Sequence, residues 1–343
     1  MLETGGRGWP AATRRAALSL LALPGLARPG LLAAAEPRPL RLAVFPGGLS
    51  WPVFVAAEKG FFARHGLSVA VTEVAGSVPQ LLGLAEGRFD VAMTPFDNVV
   101  ASQEGQGEAS VGDAPDLFAF MGGISGALRL IVAREVQSFA DLRGRALGVD
   151  SEVTGYTLAM YQLLASQGLG RNDYRLEKLG GTASRVSALV EGRIAGTMVS
   201  SPQEIGPEEA GFRRLGDVRS MIGPYQAVCG AARRSWAARE GDMLRDFIRA
   251  YVEAGEWLAD PAHRAEAAAV YVQRIRGGSE AIALKAWDVV HGRDEGFQPR
   301  ARFDPRGAET VLAIRARFGQ PPKALRDWTR HVDERWYADA LAR

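Results

Sequence analysis

Two stretches of the chain, 105 residues apart, carry nearly the same sequence. Residues 77–95 read SVPQLLGLAEGRFDVAMTP and residues 182–200 read TASRVSALVEGRIAGTMVS, so Glu-Gly-Arg and a Met recur at matched places. In each stretch a hydroxyl residue begins an apolar pattern of helical spacing, a glycine ends it, and a short apolar strand follows. This repeat predicts two similar α/β halves, with any binding site in a cleft beyond the carboxyl ends of their strands.

The same patterns predict the other elements. Strands are expected, in chain order, over residues 40–45, 69–74, 89–93, 128–133, 146–150, 174–179, 194–200 and 225–231. Ser77 and Thr182 are the expected caps of the two repeated helices. We expect the segment 138–145 to carry the chain into the second half and the strand at 225–231 to return it. The predicted divisions are an N-terminal segment 1–35, a first lobe 36–130, a second lobe 131–222, and a return to the first lobe with C-terminal helices over 223–343.

The first 35 residues differ in composition from the rest. Arg14 and Arg15 precede a Leu- and Ala-rich stretch, broken only by Arg28, that ends in three alanines at 33–35. This pattern is typical of a twin-arginine export signal, and an ordinary secretory signal is the alternative. We therefore expect export to the periplasm with cleavage near Ala35.

Charge and cysteine content limit the possible partners. The whole chain has a net charge of +2, and residues 1–35 carry four arginines against one glutamate, so losing a net +3 leaves −1. Such a chain has no electrostatic footprint for nucleic acid or an anionic membrane. Cys229 is the only cysteine, so no internal disulfide can form. We predict a soluble monomer in the periplasm with no nucleic-acid partner.

Motifs for catalysis and metal binding are missing from the sequence. It contains no GxSxG, no GxxxxGK[ST], no HExxH and no cysteine cluster. Its four histidines are scattered, and none has metal-ligand spacing to another. We therefore expect no enzymatic activity, no cofactor and no metal.

With these elements placed, residues 40–259 resemble the substrate-binding proteins of ABC importers. The motifs are AAEKGFF at 56–62, LAEGRFDVA at 84–92 and SFADLRGR at 138–145. They are similar to the group that carries sulfonates, taurine, nitrate and thiamine pyrimidine precursors. The resemblance implies an α/β, two-lobed type II periplasmic-binding-protein fold, with a cleft between two doubly wound mixed sheets and a helical C-terminal tail. Such a protein closes like a hinge on a small ligand and presents it to ABC permease subunits in the inner membrane. A pyrimidine-synthesis-like enzyme and a receptor-coupled sensor remain alternatives.

The loops at the strand ends combine small residues, helix N-termini and aromatics, as binding sites do. The resemblance also implies that residues 151–156 and the loop after Met93 contact the ligand. The candidate ligand-binding residues are Gly48, Trp51, Ser77, Thr94, Phe96, Asp97, Ser151, Glu152, Thr154, Tyr156, Thr182, Ser200 and Tyr225.

The chemistry of these loops favours one class of ligand. They carry no Arg or Lys, whereas Asp97 and Glu152 are acidic. We therefore expect a neutral or weakly basic heterocycle or aromatic, stacked on a ring such as Trp51 and donating to a carboxylate. A sulfonate, taurine or nitrate is the alternative, and Arg185 is the residue that would favour it.

Overall fold

A computed structural model describes residues 36–108, 116–126, 128–292 and 295–342. The predicted export signal over 1–35 lies outside these residues. The strands are β1 (Arg38–Val44), β2 (Leu67–Glu73), β3 (Val91–Pro95), β4 (Leu117–Ser125), β5 (Leu128–Val132), β6 (Ala146–Val149), β7 (Arg175–Lys178), β8 (Gly196–Ser200), β9 (Arg213–Asp217), β10 (Gln226–Arg233) and β11 (Gly296–Phe297).

Helices alternate with these strands and then form most of the C-terminal part. They are α1 (Trp51–Glu58), α2 (Phe61–Arg64), α3 (Ser77–Ala85), α4 (Phe96–Gln103), α5 (Gly155–Ser166), α6 (Thr182–Val190), α7 (Ile205–Glu209), α8 (Val218–Met221), α9 (Arg234–Arg239), α10 (Gly241–Ala259), α11 (Arg264–Arg274), α12 (Glu280–Val290), α13 (Pro305–Phe318) and α14 (Arg335–Leu341). Among the described residues, no helix is both long enough and apolar enough to cross a membrane.

The strands form two mixed sheets that share the same arrangement of parallel and antiparallel strands. Lobe I is built on the order β11-β4-β10-β3-β1-β2, and lobe II on the order β7-β6-β8-β5-β9. In lobe I, β1 runs parallel to β2 and β3, and in lobe II, β6 runs parallel to β7 and β8. An antiparallel strand then joins each parallel set, β10 beside β3 and β5 beside β8. Each lobe therefore has its parallel strand ends on one edge, where loops can form a site.

The internal repeat is confirmed as a structural repeat. Helices α3 and α6, and strands β3 and β8, begin and end at residues that are 105 positions apart. Each helix is followed by a glycine in the left-handed region, Gly87 at φ 77° and Gly192 at φ 74°. Only a residue without a Cβ adopts this conformation at little cost, which explains why the helices stop there.

The crossover into lobe II comes earlier than predicted. Strand β5 pairs with β8 and β9, so the chain leaves lobe I between Ser125 and Leu128 and not at 138–145. The predicted return strand is confirmed, because β10 pairs with β3 and β4. The chain from Glu36 onward forms one compact unit. The proposed bounds at 130 and 222 therefore stay a prediction.

The predicted helix caps are wrong. Ser77 and Thr182 are the first helical residues, with a glycine before each, and neither side chain caps its own helix. Thr154 does precede α5, but its hydroxyl donates to the Ser151 carbonyl over 3.1 Å. The N-termini of α3, α5 and α6 therefore lack side-chain caps from their own preceding residues.

The C-terminal helices pack on both lobes. Helix α10 packs into the core through one apolar face, whose buried members are Met243, Phe247, Ile248, Tyr251 and Leu258. Helix α13 contacts α4 and β10 of lobe I and also α5 of lobe II. This helix is therefore placed to connect the two lobes.

Candidate functional site

A narrow cavity lies where the parallel strand ends of the two lobes face each other. Its volume is about 30 Å³, so the lobes stand close together. Lobe I contributes Phe45, Pro46, Leu49, Ser77, Pro95 and Asn98, and lobe II contributes Asp150, Thr154, Gly155, Tyr156, Gly181, Thr182, Arg185, Ser200 and Gln203. We call this cavity the cleft. A larger cavity of about 610 Å³ lies between α10 and β11, and none of the predicted binding residues lines it.

The wall of the cleft in lobe I is held by a buried amide. Asn98, on α4, donates from Nδ2 to the Ser77 hydroxyl at 3.1 Å and to the Thr94 hydroxyl at 3.0 Å. The Ser77 hydroxyl is thereby fixed at the first residue of α3. Asn98 was not predicted, although it lies one helical turn after Thr94.

The wall in lobe II is organised by Arg185, which is 3% exposed. Its guanidinium donates to the hydroxyls of Thr197 and Thr182, at 3.0 and 3.1 Å, and to two backbone carbonyls. Burial lowers the pKa of Arg185, and the nearby Asp150 carboxylate opposes that shift. Arg185 therefore holds the Thr182 hydroxyl and brings a positive charge to the edge of the cleft.

Hydrogen bonds cross the cleft directly. The Asp150 carboxylate of lobe II accepts from the backbone N–H of Ser77, at the N-terminus of α3, over 3.1 Å. The N–H of Gly181 donates to the carbonyl of Ala75 over 2.8 Å. A carboxylate is favourable at a helix N-terminus. Asp150 of lobe II therefore acts as the N-terminal cap of α3 in lobe I.

One buried polar group in the wall has no partner. The Tyr156 hydroxyl is buried and has no hydrogen-bond partner among the described residues. Burial raises the pKa of Tyr156, and the nearby Ser200 opposes the rise. A buried hydroxyl without a partner is costly, so this group is one that a ligand can satisfy.

Five of the predicted binding residues line the cleft: Ser77, Thr154, Tyr156, Thr182 and Ser200. Their contact with a ligand stays a prediction. The other eight do not line the cleft: Gly48, Trp51, Thr94, Phe96, Asp97, Ser151, Glu152 and Tyr225.

Aromatic residues of this second group belong to the core. Trp51 is fully buried, its indole N–H donates to the Ala267 carbonyl at 3.1 Å, and its ring meets Tyr271 edge-on at 4.8 Å. Phe96 packs edge-on against Phe303 with 5.0 Å between ring centroids. Tyr225 is 1% exposed. The predicted stacking of a ligand on Trp51 is therefore wrong.

The small residues of the second group make contacts with other residues of the protein. The Thr94 hydroxyl accepts from Asn98, and the Ser151 hydroxyl accepts from the N–H of Val153 at 3.4 Å. At Gly48, a Cβ would come within 2.4 Å of the Pro202 ring. Gly48 therefore serves the close contact between the two lobes.

The predicted acidic pair does not face the cleft either. Asp97 is 2% exposed and forms an ion pair with Arg315, whose Nε lies 2.6 Å from Oδ1. Glu152 is exposed and pairs with Arg171 at 3.3 Å. The charged residues of the cleft are instead Asp150 and Arg185, neither of which is among the predicted binding residues. Asp150 directly follows β6, so the rule of strand ends could have identified it.

Among the described residues, no group of three His, Cys, Asp or Glu side chains could hold a metal ion. Cys229 is a buried free thiol in β10.

Two α/β lobes around a polar cleft define a two-lobed periplasmic-binding-protein fold, and solved structures agree. The nitrate-binding protein NrtA of Synechocystis PCC 6803 aligns with a TM-score of 0.74 at 14% identity, over 89% of this chain and 88% of that one. The alkanesulfonate-binding protein SsuA of Xanthomonas axonopodis pv. citri, bound to MOPS, gives 0.68 at 18% identity, over 88% and 99%. The predicted fold is thereby confirmed. Residues 33–272 match the NMT1-like family, and the chain belongs to it.

Curated relatives match over part of their length. The bicarbonate transport ATP-binding protein CmpC of Synechococcus elongatus is 29% identical over 230 residues, which are 62% of this chain and 34% of that protein. The 4-amino-5-hydroxymethyl-2-methylpyrimidine phosphate synthase of Uromyces fabae is 26% identical over 238 residues, 67% of this chain and 62% of that protein. The chain therefore spans about a third of the first relative and less than two thirds of the second.

Proposed function

We propose that this protein is an extracytoplasmic solute-binding protein. It captures a small organic ligand by hinge closure and delivers it to ABC permease subunits in the inner membrane. The observation that carries the proposal is the cleft itself, which is lined from both lobes and bridged by the Asp150 to Ser77 hydrogen bond. Such a site can form only when the lobes meet, so ligand binding and closure are one event.

The proposed location and assembly state follow from the sequence. The twin-arginine pattern supports export, with cleavage near Ala35 and release into the periplasm. We propose that the protein works there as a monomer. Relatives named for bicarbonate transport and for nitrate or alkanesulfonate binding support a role in import.

For the ligand, we propose a neutral or weakly basic heterocycle or aromatic. The residues that contact it differ from those expected from the sequence. Asp150 replaces Asp97 and Glu152 as the carboxylate that accepts from the ligand, and Tyr156 replaces Trp51 as the aromatic side chain. The unpartnered Tyr156 hydroxyl adds a polar group beside that ring. The relative that is named for a pyrimidine phosphate supports this class.

A small anion such as a sulfonate, taurine or nitrate is the second candidate. Arg185 and the N-termini of α5 and α6, which have no side-chain cap, favour it, because free backbone N–H groups at helix N-termini attract anions. Asp150 opposes it, since a bound anion would lie near a carboxylate. The two ligand classes therefore predict opposite effects of removing the Asp150 charge on binding affinity.

Mass spectrometry and calorimetry decide between them. Native mass spectrometry of protein taken from its own periplasm identifies a co-purifying ligand directly. Isothermal titration then compares 4-amino-5-hydroxymethyl-2-methylpyrimidine, ethanesulfonate, taurine and nitrate. For a ring ligand, Asp150→Asn should weaken binding about tenfold or more, because a charge-assisted hydrogen bond contributes about 1.5–3 kcal/mol. The control is Glu152→Gln, an exposed carboxylate of the neighbouring loop, which should leave affinity unchanged.

The anion class predicts the reverse pattern. The wild type would then bind ethanesulfonate or nitrate tightly, Asp150→Asn would bind it more tightly, and Arg185→Met would not bind it. This result would contradict the proposed heterocyclic ligand but would still support the proposed role as a solute-binding protein. Absence of any bound ligand, together with turnover of a pyrimidine precursor, would favour the enzyme alternative. A gene for a sensor kinase beside this one, in place of permease and ATPase genes, would favour the receptor-coupled alternative.

A further inference from the structure

A buried arginine from the C-terminal part of the chain contacts lobe I near the cleft. Arg315 lies on α13, beyond residue 272, where the family match ends, and its side chain is fully buried. Its guanidinium bonds both carboxylate oxygens of Asp97, in the first turn of α4. Bidentate pairs of this kind fix the orientation of both side chains.

The same guanidinium contacts lobe II. Its Nη2 donates to the backbone carbonyl of Val153 at 2.7 Å, and its Nη1 donates to the carbonyl of Gln106 at 3.2 Å. Val153 directly precedes Thr154, Gly155 and Tyr156, which line the cleft. One side chain of α13 therefore joins the cleft loop of lobe II to α4 of lobe I.

Asp97 also limits the approach of that loop sterically. A Cβ placed on Gly155 would lie 2.4 Å from the Cβ of Asp97, so the two residues are in direct contact across the lobes. Because Arg315 orients Asp97, it also fixes the surface against which Gly155 packs. Glycine is the residue that allows this approach.

We propose that Arg315 is a positioning residue for the loop 151–156, and that the C-terminal segment thereby sets how firmly the cleft closes. A buried ion pair repays its desolvation only when the remaining donors are satisfied. Here one of those acceptors comes from lobe II, so the pair is fully satisfied only while the loop is docked. The inference takes the cleft to be the binding site of the proposed function, but its test needs no ligand.

Hydrogen exchange of the ligand-free mature protein, read by mass spectrometry over residues 151–160, tests this. The main variant is the double change Asp97→Asn with Arg315→Met, which removes both buried charges together and leaves Val153 without its donor. We expect amide exchange to become about tenfold faster or more at Leu158. The N–H of this residue donates to the Thr154 carbonyl in the first turn of α5. The matched control is Arg306→Met, an exposed arginine of the same helix, which should exchange like the wild type.

A second variant tests the same contact without removing either charge of the ion pair. Gly155→Ala should push against Asp97, quicken exchange in the loop and raise the radius of gyration in small-angle scattering. Wild-type exchange over 151–160 in the double variant would overturn the proposal and leave the pair as a stabilising element of lobe I. Wild-type exchange and radius in Gly155→Ala would overturn it as well. Failure of every ligand in the calorimetric panel would reject the proposed function without altering these results.

Discussion

Replacing Trp51 by alanine separates a core role from a binding role. The ring is fully buried, meets Tyr271 edge-on at 4.8 Å and donates to the Ala267 carbonyl at 3.1 Å. Removing a buried aromatic side chain in this way costs about 3–5 kcal/mol. Leaving the carbonyl without its donor adds about 1 kcal/mol. Because this ring joins α1 to α11, we expect the free energy of unfolding to fall by about 4–6 kcal/mol.

Urea unfolding followed by circular dichroism measures this loss without relying on tryptophan fluorescence. Trp51→Phe is the matched control, since it keeps an aromatic ring and loses the N–H, and it should cost clearly less. The ligand found by native mass spectrometry should bind the folded alanine variant with wild-type affinity. A variant that unfolds at the wild-type urea concentration but no longer binds would refute the placement of Trp51 in the core.

Three other predictions follow from the sequence and the structure. Changing Arg14 and Arg15 to lysine should leave precursor in the cytoplasm on cell fractionation, whereas normal export would indicate the ordinary secretory route. The cognate ligand should raise the melting temperature, by about 2.7 kcal/mol of stabilisation at a hundredfold excess over Kd, and it should lower the radius of gyration; an unchanged radius would contradict hinge closure. Burial lowers the pKa of His291, opposed by the Trp287 carbonyl. As the pH falls below about 6.5 the unfolded chain takes up a proton that the folded protein resists, so stability should fall, and less so in His291→Gln.

Local pattern was enough to predict the repeated unit. The helix and strand of each copy follow from apolar spacing and from a glycine that ends the helix, all within 19 residues. Strands β4, β9 and β11 were not predicted. In β4 all nine residues are buried, so the strand lacks the alternation of exposed and buried positions. A continuous apolar run shows no alternation, so periodicity alone does not distinguish it from a buried helix.

The site was only partly predictable, for a different reason. The rule of strand ends correctly brought Ser77 and Thr182 to one cleft. It failed for Asp97 and Trp51, because their partners Arg315 and Ala267 lie 218 and 216 positions away in the chain. A carboxylate in a loop and a carboxylate paired with a distant arginine look the same in a sequence. Which polar groups remain free for a ligand is decided by such distant pairs.

The place of β10 in lobe I also bears on the order in which the chain can fold. All strands of lobe II come from one continuous stretch, from Leu128 to Asp217, whereas lobe I needs β10, ending at Arg233, between β3 and β4. During synthesis, β3 and β4 therefore keep unpaired edges until after the whole sheet of lobe II has been made. Such edges are templates for aggregation, and pairing over so long a separation is slow. Lobe II can thus fold first, and an export route that carries the protein in its folded state would let the sheet of lobe I form before the membrane is crossed.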